Sequence, residues 1–185
     1  MNIKIFIYKD TRETTTNTMS IQPQSTSLID KWNLYYHLPH DKCWELSSYS
    51  VIMRDIDTAE QVISLNNTIH DNIIKNCMLF VMRDGITPMW EDPKNRNGGC
   101  FSYKIINKHA PEVWKTLFYL LCGESLCISS EYSKHINGIT ISPKKHFCII
   151  KIWMDVSHLQ DPSIITTIFN LAKQGCLFKK HEPEF

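Results

Sequence analysis

Segments with the pattern of β-strands alternate with segments of helical periodicity along this chain, and this order restricts the folds open to it. Most neighbouring strands are separated by short turns, so we predict an α+β fold in which a mostly antiparallel sheet carries its helices on one face. The opposite face is then free to hold a ligand. Strands are predicted at 30–37, 46–54, 78–83, 101–106, 136–142, 147–154 and 176–180. Helices are predicted at 57–69, 111–122 and 161–174.

Turn and capping residues support the boundaries of the predicted helices. Asp57-Thr58-Ala59-Glu60 resembles a capping box at the start of the first helix. Pro111 suits the first turn of the second helix, and Gly123 suits the position after its last turn. Asp161-Pro162 begins the third predicted helix, which ends before Gly175.

The composition of the chain changes near residue 28. Residues 10–27 are rich in Thr, Ser, Gln and Asn, so we expect residues 1–27 to form a largely polar and flexible extension. The domain itself is predicted at 28–181, and a short tail follows at 182–185. Residues 1–9 alternate in polarity, and we expect either a short strand or an adherent tail there. They are too short and too charged for the apolar region of a signal peptide.

Charge and cysteine usage exclude several classes of protein. The formal net charge of +1 does not suit broad binding to a phosphate backbone, so any contact with nucleic acid is expected to be local. The seven cysteines are scattered, odd in number and without a C-x-x-C pair. This favours reduced thiols in a cytoplasmic or nuclear protein over a disulfide framework or a zinc site. No segment has the apolar length of a membrane span, and nothing in the sequence indicates a metal or another cofactor.

The segment from Gly85 to Pro93 contains the most specific chemistry in the chain. Trp90 and Glu91 are adjacent there, on a loop that prolines flank. The face of a tryptophan attracts a flat cation, and a carboxylate accepts two parallel N–H donors. Guanine methylated at N7 has both a cationic ring and such a donor edge, and Trp44 is available to cover the second face of the base. An isolated Trp-Glu pair, however, is more often a core tryptophan beside a solvated carboxylate.

With other residues at matching spacing, this segment resembles the family of mRNA cap-binding subunits of the eukaryotic translation initiation complex. The resemblance extends from about Leu28 to Gly175 and is strongest from Asp84 to Asp92 and at Asn97-Gly98-Gly99. It implies a curved antiparallel sheet of about seven to eight strands, with three helices on the convex face and the cap in the concave front. The other matching positions are Trp32, Trp44, Asp57-Thr58-Ala59-Glu60, Trp114, Gly123-Glu124-Ser125 and Ile152-Trp153.

The resemblance assigns the guanine half of the site to four residues. Trp44 and Trp90 are expected to stack on the two faces of the methylated base, and Glu91 is expected to accept its N1–H and N2–H donors. The backbone N–H of Trp90 is expected to donate to O6. Trp153 corresponds to a tryptophan that touches the N7 methyl group, and a plain core tryptophan is the alternative.

The phosphate half of the site departs from the family pattern. Lys144 occupies the position of a family arginine, and it supplies a point charge without two-pronged donation. Lys145 and His146 are expected to assist it. Cys100 and Ile149 stand where the family commonly has cations, so the resemblance implies phosphate contacts that are weaker or differently arranged. The substitutes that we consider are Lys179, Lys180 and His181.

The face that would receive a helical peptide from a scaffold or repressor protein is also altered. Ile63 replaces a tryptophan, Tyr119 replaces a leucine, and Lys115 stands where leucine is usual. Thr26-Ser27 replaces a His-Pro pair ahead of Leu28. Because tryptophans are frequent interface anchors, we expect a non-standard partner on this face, or none. The alternative is a substituted surface that still binds the usual partner.

Three functions are consistent with these residues to different degrees. The first is an initiation factor that binds the cap and recruits a scaffold. The second is a cap-binding competitor or translational repressor that does not engage the usual scaffold, which the altered helical face makes credible. The third is an enzyme in which Cys100 or Cys148 acts with His146 as its base. No third orienting group or phosphate-binding glycine loop is visible in the sequence, so we do not expect catalysis.

Overall fold

Seven antiparallel strands form one curved sheet in the computed structural model, which describes residues 25–183. The strand expected at 1–9 lies outside the described residues. The strands are β1 (Ser27–His37), β2 (Ser50–Thr58), β3 (Met78–Arg83), β4 (Gly99–Ile106), β5 (Ile136–Pro143), β6 (Phe147–Met154) and β7 (Leu177–Lys180). Their spatial order is β2-β1-β3-β5-β6-β4-β7, and every neighbouring pair is antiparallel. The predicted α+β class is confirmed.

Helices cover one side of the sheet, which we call the back face. Helices α1 (Ala59–Thr68), α2 (Asp71–Asn76) and α3 (Ala110–Cys122) pack against one another and against the strands. Helix α4 (Ser130–Ser133) is a single turn. The main core lies between these helices and the sheet, and Trp32 and Trp114 are fully buried in it.

Side-chain alternation along the strands separates the back face from the opposite side, which we call the front face. Strand β6 shows the pattern clearly, because every second side chain joins the main core and the others point away from it. The core positions on β6 are Cys148, Ile150, Ile152 and Met154. The front positions are Phe147, Ile149, Lys151 and Trp153. The front face is therefore the side on which a ligand can bind.

Helix α1 begins with a capping box that lies one residue after the predicted one. The hydroxyl of Thr58 accepts from the backbone N–H of Gln61 at 3.3 Å, and the side chain of Gln61 accepts in return from the backbone N–H of Thr58 at 3.1 Å. The predicted box, which pairs Asp57 with Glu60, is wrong in register. The carboxylate of Glu60 instead accepts from the backbone N–H of Thr26 at 3.1 and 3.2 Å, which ties the helix to the start of β1.

The helix predicted at 161–174 is wrong. Only a 3-10 turn forms, at Pro162–Ile164, and the chain then continues without a regular helix. Residues 164–168 are all β-branched, and such side chains lose rotamer freedom against the preceding turn of a helix. Ile165 and Ile168 are buried in the main core from this irregular segment.

One further strand and one short helix also differ from the predictions. The strand predicted at 46–54 is replaced by a 3-10 turn at Leu46–Ser48 followed by β2. Helix α2 was not predicted, because its six residues are too few for a helical period to be recognised. Within residues 25–183, no helix is long and apolar enough to cross a membrane.

Candidate functional site

A cavity of about 430 Å³ opens on the front face of the sheet. Its lining combines aromatic rings with a small number of polar side chains, as in many small-ligand sites. The structure brings Trp44, Trp90, Glu91 and Trp153 together in this lining. The other predicted ligand-binding residues, Lys144, Lys145 and His146, are exposed at the tip of the β5–β6 hairpin and do not line the cavity.

A small apolar cluster beneath the cavity is separate from the main core. Trp153 belongs to it and is only 3% exposed, yet the same side chain borders the cavity. Its indole N–H donates to the hydroxyl of Thr140 at 2.7 Å, which fixes the ring in the floor. Trp153 is thus a buried residue that also faces the cavity. Its contact with the N7 methyl group of a bound base stays a prediction. The cluster consists of Tyr35, Phe80, Met82, Ile86 and Trp153.

Asp92 fixes the loop that presents Trp90. One carboxylate oxygen accepts from both the backbone N–H and the hydroxyl of Thr87 at 2.7 Å, and the other accepts from the backbone N–H of Lys94 at 2.8 Å. The Asp92 carbonyl accepts from the backbone N–H of Asn95 at 2.8 Å. These bonds close the loop on itself, so that Trp90 and Glu91 project from a defined backbone.

Asn95 joins this loop to the sheet. It is fully buried, and its Nδ2 donates to the carbonyls of Thr87 and Met89 at 2.9 and 2.7 Å. Its Oδ1 accepts from Nδ2 of Asn137 on β5 at 2.9 Å, and the same Nδ2 donates to the Lys94 carbonyl at 2.9 Å. Both side-chain polar atoms of Asn95, and Nδ2 of Asn137, therefore have hydrogen-bond partners, as buried polar groups require. Sequence reasoning missed both asparagines, because their pairing depends on the tertiary fold.

His181 packs against the Trp90 ring. The two rings are stacked, with centroids 5.4 Å apart and 19° between their planes, and Trp153 lies 5.0 Å from the imidazole. Nδ1 of His181 donates to the Asn95 carbonyl at 2.7 Å. Burial lowers the pKa of His181, so the imidazole is neutral at pH 7. Its Nε2 is buried without a hydrogen-bond partner in the described part of the chain. We considered His181 as a phosphate ligand, but the structure makes it a packing partner of two tryptophans.

Trp44 contributes another wall of the cavity from a segment outside regular structure. Its ring stacks on His37 with centroids 4.4 Å apart and only 3° between the planes. Nε2 of His37 donates to the Cys43 carbonyl at 2.8 Å, which fixes the imidazole beneath the indole. Trp44 is 51% exposed, so much of the ring surface is accessible to a ligand.

Tyr49 connects the Trp44 wall to the floor of the cavity. Its ring lies edge-on to Phe80 with centroids 5.3 Å apart, and it is tilted against Trp44 at 6.4 Å. Burial, together with the charge of Glu91, raises the pKa of Tyr49 to about 12. The hydroxyl therefore keeps its proton at neutral pH, and Glu91 supplies the negative charge on this side.

Two lysines bring positive charge to Trp90. The Nζ atoms of Lys151 and Lys179 lie 5.4 and 5.0 Å from the centroid of its ring. Lys179 pairs with Cys100, and its side chain faces the front. Lys179 was among the substitutes that we considered, whereas Lys151 was missed. Its position two residues before Trp153 on a predicted strand was the available signal.

The thiols considered as nucleophiles are buried. Cys100 and Cys148 are both fully inaccessible, and burial raises the pKa of each thiol, which disfavours the reactive thiolate. Cys148 donates to the side-chain oxygen of Asn107 at 3.4 Å, while His146 is exposed on the hairpin. Across residues 25–183, no three or more His, Cys, Asp or Glu side chains are grouped so that they could hold a metal ion.

The residues predicted for partner binding lie on or beside the helical side. Ile63 on α1 and Tyr119 on α3 are 49% and 42% exposed. Lys115 is partly buried, with its Nζ 3.5 Å from a carboxylate oxygen of Asp71. Leu28 packs against the edge of the main core. Two of the four positions therefore present apolar side chains to solvent.

Comparison with known proteins identifies the family of this chain. A model of the family described as "Eukaryotic initiation factor 4E" matches residues 27–183. The eukaryotic translation initiation factor 4E homolog of Acanthamoeba polyphaga mimivirus is 45% identical over 63 residues, which cover 34% of this chain and 23% of that protein. Human eukaryotic translation initiation factor 4E is 27% identical over 153 residues, which cover 80% of this chain and 68% of the human protein.

A solved structure has the same fold. It is the schistosome eIF4E complexed with m7GpppG and 4E-BP, which superposes with a TM-score of 0.65 at 24% identity and covers 74% of this chain and 75% of that chain. Identity at this level establishes the fold alone, and the family model, which spans most of the chain, establishes the family. This chain belongs to the eukaryotic initiation factor 4E family.

Proposed function

We propose that this chain binds the 7-methylguanosine cap of mRNA in the front-face cavity and acts in translation initiation. One observation carries the proposal: Trp44 and the adjacent pair Trp90 and Glu91, which come from two separate segments, line the same cavity. The volume of about 430 Å³ lies within the range of small-ligand sites. The family membership and the m7GpppG of the schistosome complex support the same ligand.

Stacking supplies a large part of the binding free energy in this proposal. Each tryptophan face that covers a base contributes about 1–3 kcal/mol. Methylation at N7 makes the ring cationic, and a desolvated cation–π contact adds about 2 kcal/mol. That increment corresponds to about a 30-fold preference for methylated over unmodified guanine. The preference therefore depends on Trp44 and Trp90 together.

Glu91 reads the edge of the base. Its carboxylate accepts the N1–H and N2–H donors of guanine, a paired arrangement that adenine does not offer. Hydrogen bonds to a charged group contribute about 1.5–3 kcal/mol each. The defined backbone of the loop, held by Asp92 and Asn95, places this carboxylate beside Trp90.

Lys151 and Lys179 receive the phosphates. Both ammonium groups lie within 5.4 Å of the Trp90 centroid, next to the base site. Lys151 lines the cavity, whereas Lys179 and the hairpin cations lie outside its lining. A lysine is a point charge without the fork of an arginine, so the phosphates are held with looser geometry. The two lysines provide cations in a region where Cys100 and Ile149 provide none.

The proposed stacking wall depends on the support that Trp90 receives from His181. A ring that is held in place loses less freedom when a base stacks on it. A neutral imidazole suits this role, because an imidazolium beside Lys151 and Lys179 would add a third positive charge to the same region. Because burial lowers the pKa of His181, the imidazole does not carry this positive charge at neutral pH.

A second candidate function is a cap-binding competitor or repressor that does not engage the usual scaffold. The observation that favours it is the helical face, where Ile63 replaces an aromatic anchor and Lys115 forms an ion pair with Asp71. A helical peptide that needs a tryptophan anchor loses 2 kcal/mol or more in its absence, as is typical of interface hot spots. The partner on this face is then a scaffold or repressor of different shape.

Base recognition is tested by calorimetric titration with 7-methylguanosine triphosphate and with GTP. We expect the wild-type protein to prefer the methylated ligand by about 30-fold, because only that ring is cationic. Trp90→Ala and Glu91→Gln should each weaken binding by about tenfold or more. Glu131→Gln, a matched change on an exposed residue of α4, should have no effect. Equal affinity of the wild-type protein for the two ligands would remove the proposal.

The phosphate assignment is tested by a salt series with 7-methylguanosine triphosphate. The affinity of Lys151→Met and Lys179→Met should fall, and the affinity of each variant should depend less steeply on salt, because each lost ion pair removes an interaction that salt screens. Lys134→Met, at the end of α4, serves as the control. A larger loss in Lys145→Met than in either variant would instead favour the hairpin cations expected from the sequence.

The neutral state of His181 predicts a pH dependence of stability. The unfolded residue has a pKa near 6.5, and the folded pKa is lower, so the unfolded state binds more protons between the two values. The free energy of unfolding should therefore fall as the pH decreases below about 6.5, and His181→Phe should remove this part of the slope. Urea unfolding from pH 5 to 8 measures it. His158→Phe, at an exposed position, should keep the wild-type slope, and a pH-independent difference between wild type and His181→Phe would contradict the assignment.

The partner face is tested with a 4E-BP peptide. We expect the wild-type protein to bind it more weakly than micromolar, and Ile63→Trp to tighten binding by about tenfold or more, because the change restores an anchor. Ile128→Trp, at another exposed isoleucine, should give no gain. Micromolar or tighter binding by the wild-type protein would favour an initiation factor that binds an ordinary scaffold. A cap-dependent translation assay, in an extract depleted of its own cap-binding factor, then separates an activator from a repressor.

A further inference from the structure

The strand register shows which side chains extend the front face beyond the cavity. Lys151 pairs with Ser102 on β4, and the next front-facing pair is Ile149 with Lys104. The pair after that is Phe147 with Ile106, at the end of both strands. We call the set Lys104, Ile106, Phe147 and Ile149 the outer strip. It continues the surface of the cavity away from Trp153.

The outer strip combines exposed apolar surface with a cation. Ile106 is 63% exposed, and Phe147 and Ile149 are partly buried. The Nζ of Lys104 lies 4.4 Å from the centroid of the Phe147 ring. An aromatic ring beside a lysine is the arrangement that proteins use to bind single-stranded nucleic acid, with a base on the ring and a phosphate on the ammonium group.

The charged side chains that β4, β5, β6 and β7 direct to the front face are all lysines, whereas Glu91 and Glu182 line the cavity from segments outside these strands. The front-facing side chains of β4, β5, β6 and β7 include Lys104, Lys151 and Lys179, and none of them in the described structure is acidic. The whole chain carries a net charge of only +1, so this concentration of positive charge is local. It complements a short run of phosphates, whereas long backbone tracks need a broadly basic surface.

The spacing of Lys151 and Phe147 along β6 matches an RNA chain that extends out of the cavity. Phe147 lies four residues from Lys151 along β6, which corresponds to about 14 Å in an extended strand. A few nucleotides of extended RNA cover this span. Strand β6 therefore joins the proposed phosphate site to the outer strip on one continuous surface.

We propose that the first nucleotides of the RNA after the cap bind along the outer strip, with a base on Phe147 and a phosphate on Lys104. This rests on the proposed cap-binding function and extends it to the body of the RNA. Lys104 leaves the ring and moves to the phosphate when the base stacks. The exchange is favourable because a cation–π contact at an exposed site is weaker than stacking of a base on an aromatic ring.

The experiment compares 7-methylguanosine triphosphate with a capped, unstructured RNA hexamer on the full chain at low salt. We expect the wild-type protein to bind the hexamer at least about fivefold more tightly. Lys104→Glu should abolish this gain and leave the affinity for 7-methylguanosine triphosphate unchanged. Phe147→Leu keeps the apolar packing while removing the aromatic face, so it should reduce the gain. Lys134→Glu is the charge-matched control and should keep it.

The two proposals fail in different ways. If the wild-type protein binds 7-methylguanosine triphosphate but gains nothing from the hexamer, or if the gain survives both Lys104→Glu and Phe147→Leu, the outer strip is excluded and cap binding stands. If 7-methylguanosine triphosphate itself does not bind, both proposals are overturned.

Discussion

The buried amide of Asn95 joins three parts of the chain, and the position of the proposed site depends on it. Its Nδ2 donates to carbonyls within the Trp90 loop, its Oδ1 accepts from Asn137 on β5, and its backbone carbonyl accepts from His181. Leaving a buried donor or acceptor unpaired costs about 1–3 kcal/mol, so no apolar side chain can replace this amide without loss. These hydrogen bonds, together with the packing of Trp90 on the front cluster and on His181, fix where Trp90 stands relative to the sheet.

The molecule contains two apolar clusters with different consequences. The main core between sheet and helices includes Trp32 and Trp114 and accounts for most of the buried apolar surface. The small front cluster supports Trp153 and Trp90 and contains only five buried residues. Changes at the front therefore affect the site more than the fold.

Much of the fold was predictable because it depends on local patterns. Period-two alternation identified most strands, and the Pro-flanked segment around Trp90 identified the loop that lines the cavity. The helix at 161–174 was wrong because apolar spacing alone does not weigh the cost of consecutive β-branched residues. The contact between His181 and Asn95 joins residues 86 positions apart, and no pattern in the sequence reports such a pairing. Lys151 was missed for a different reason, since a single lysine on a strand is usually solvent-exposed.

The short strand β7 has a consequence for how the sheet ends. It has only four residues, and Lys179 and Lys180 occupy half of them. At the opposite end, β2 carries Arg54 beside Asp55, whose positive φ of 53° disturbs the regular backbone. Exposed edges with short strands, charges and irregular backbone resist the addition of another strand. Both borders of the sheet therefore oppose edge-to-edge aggregation, although its front face stays open.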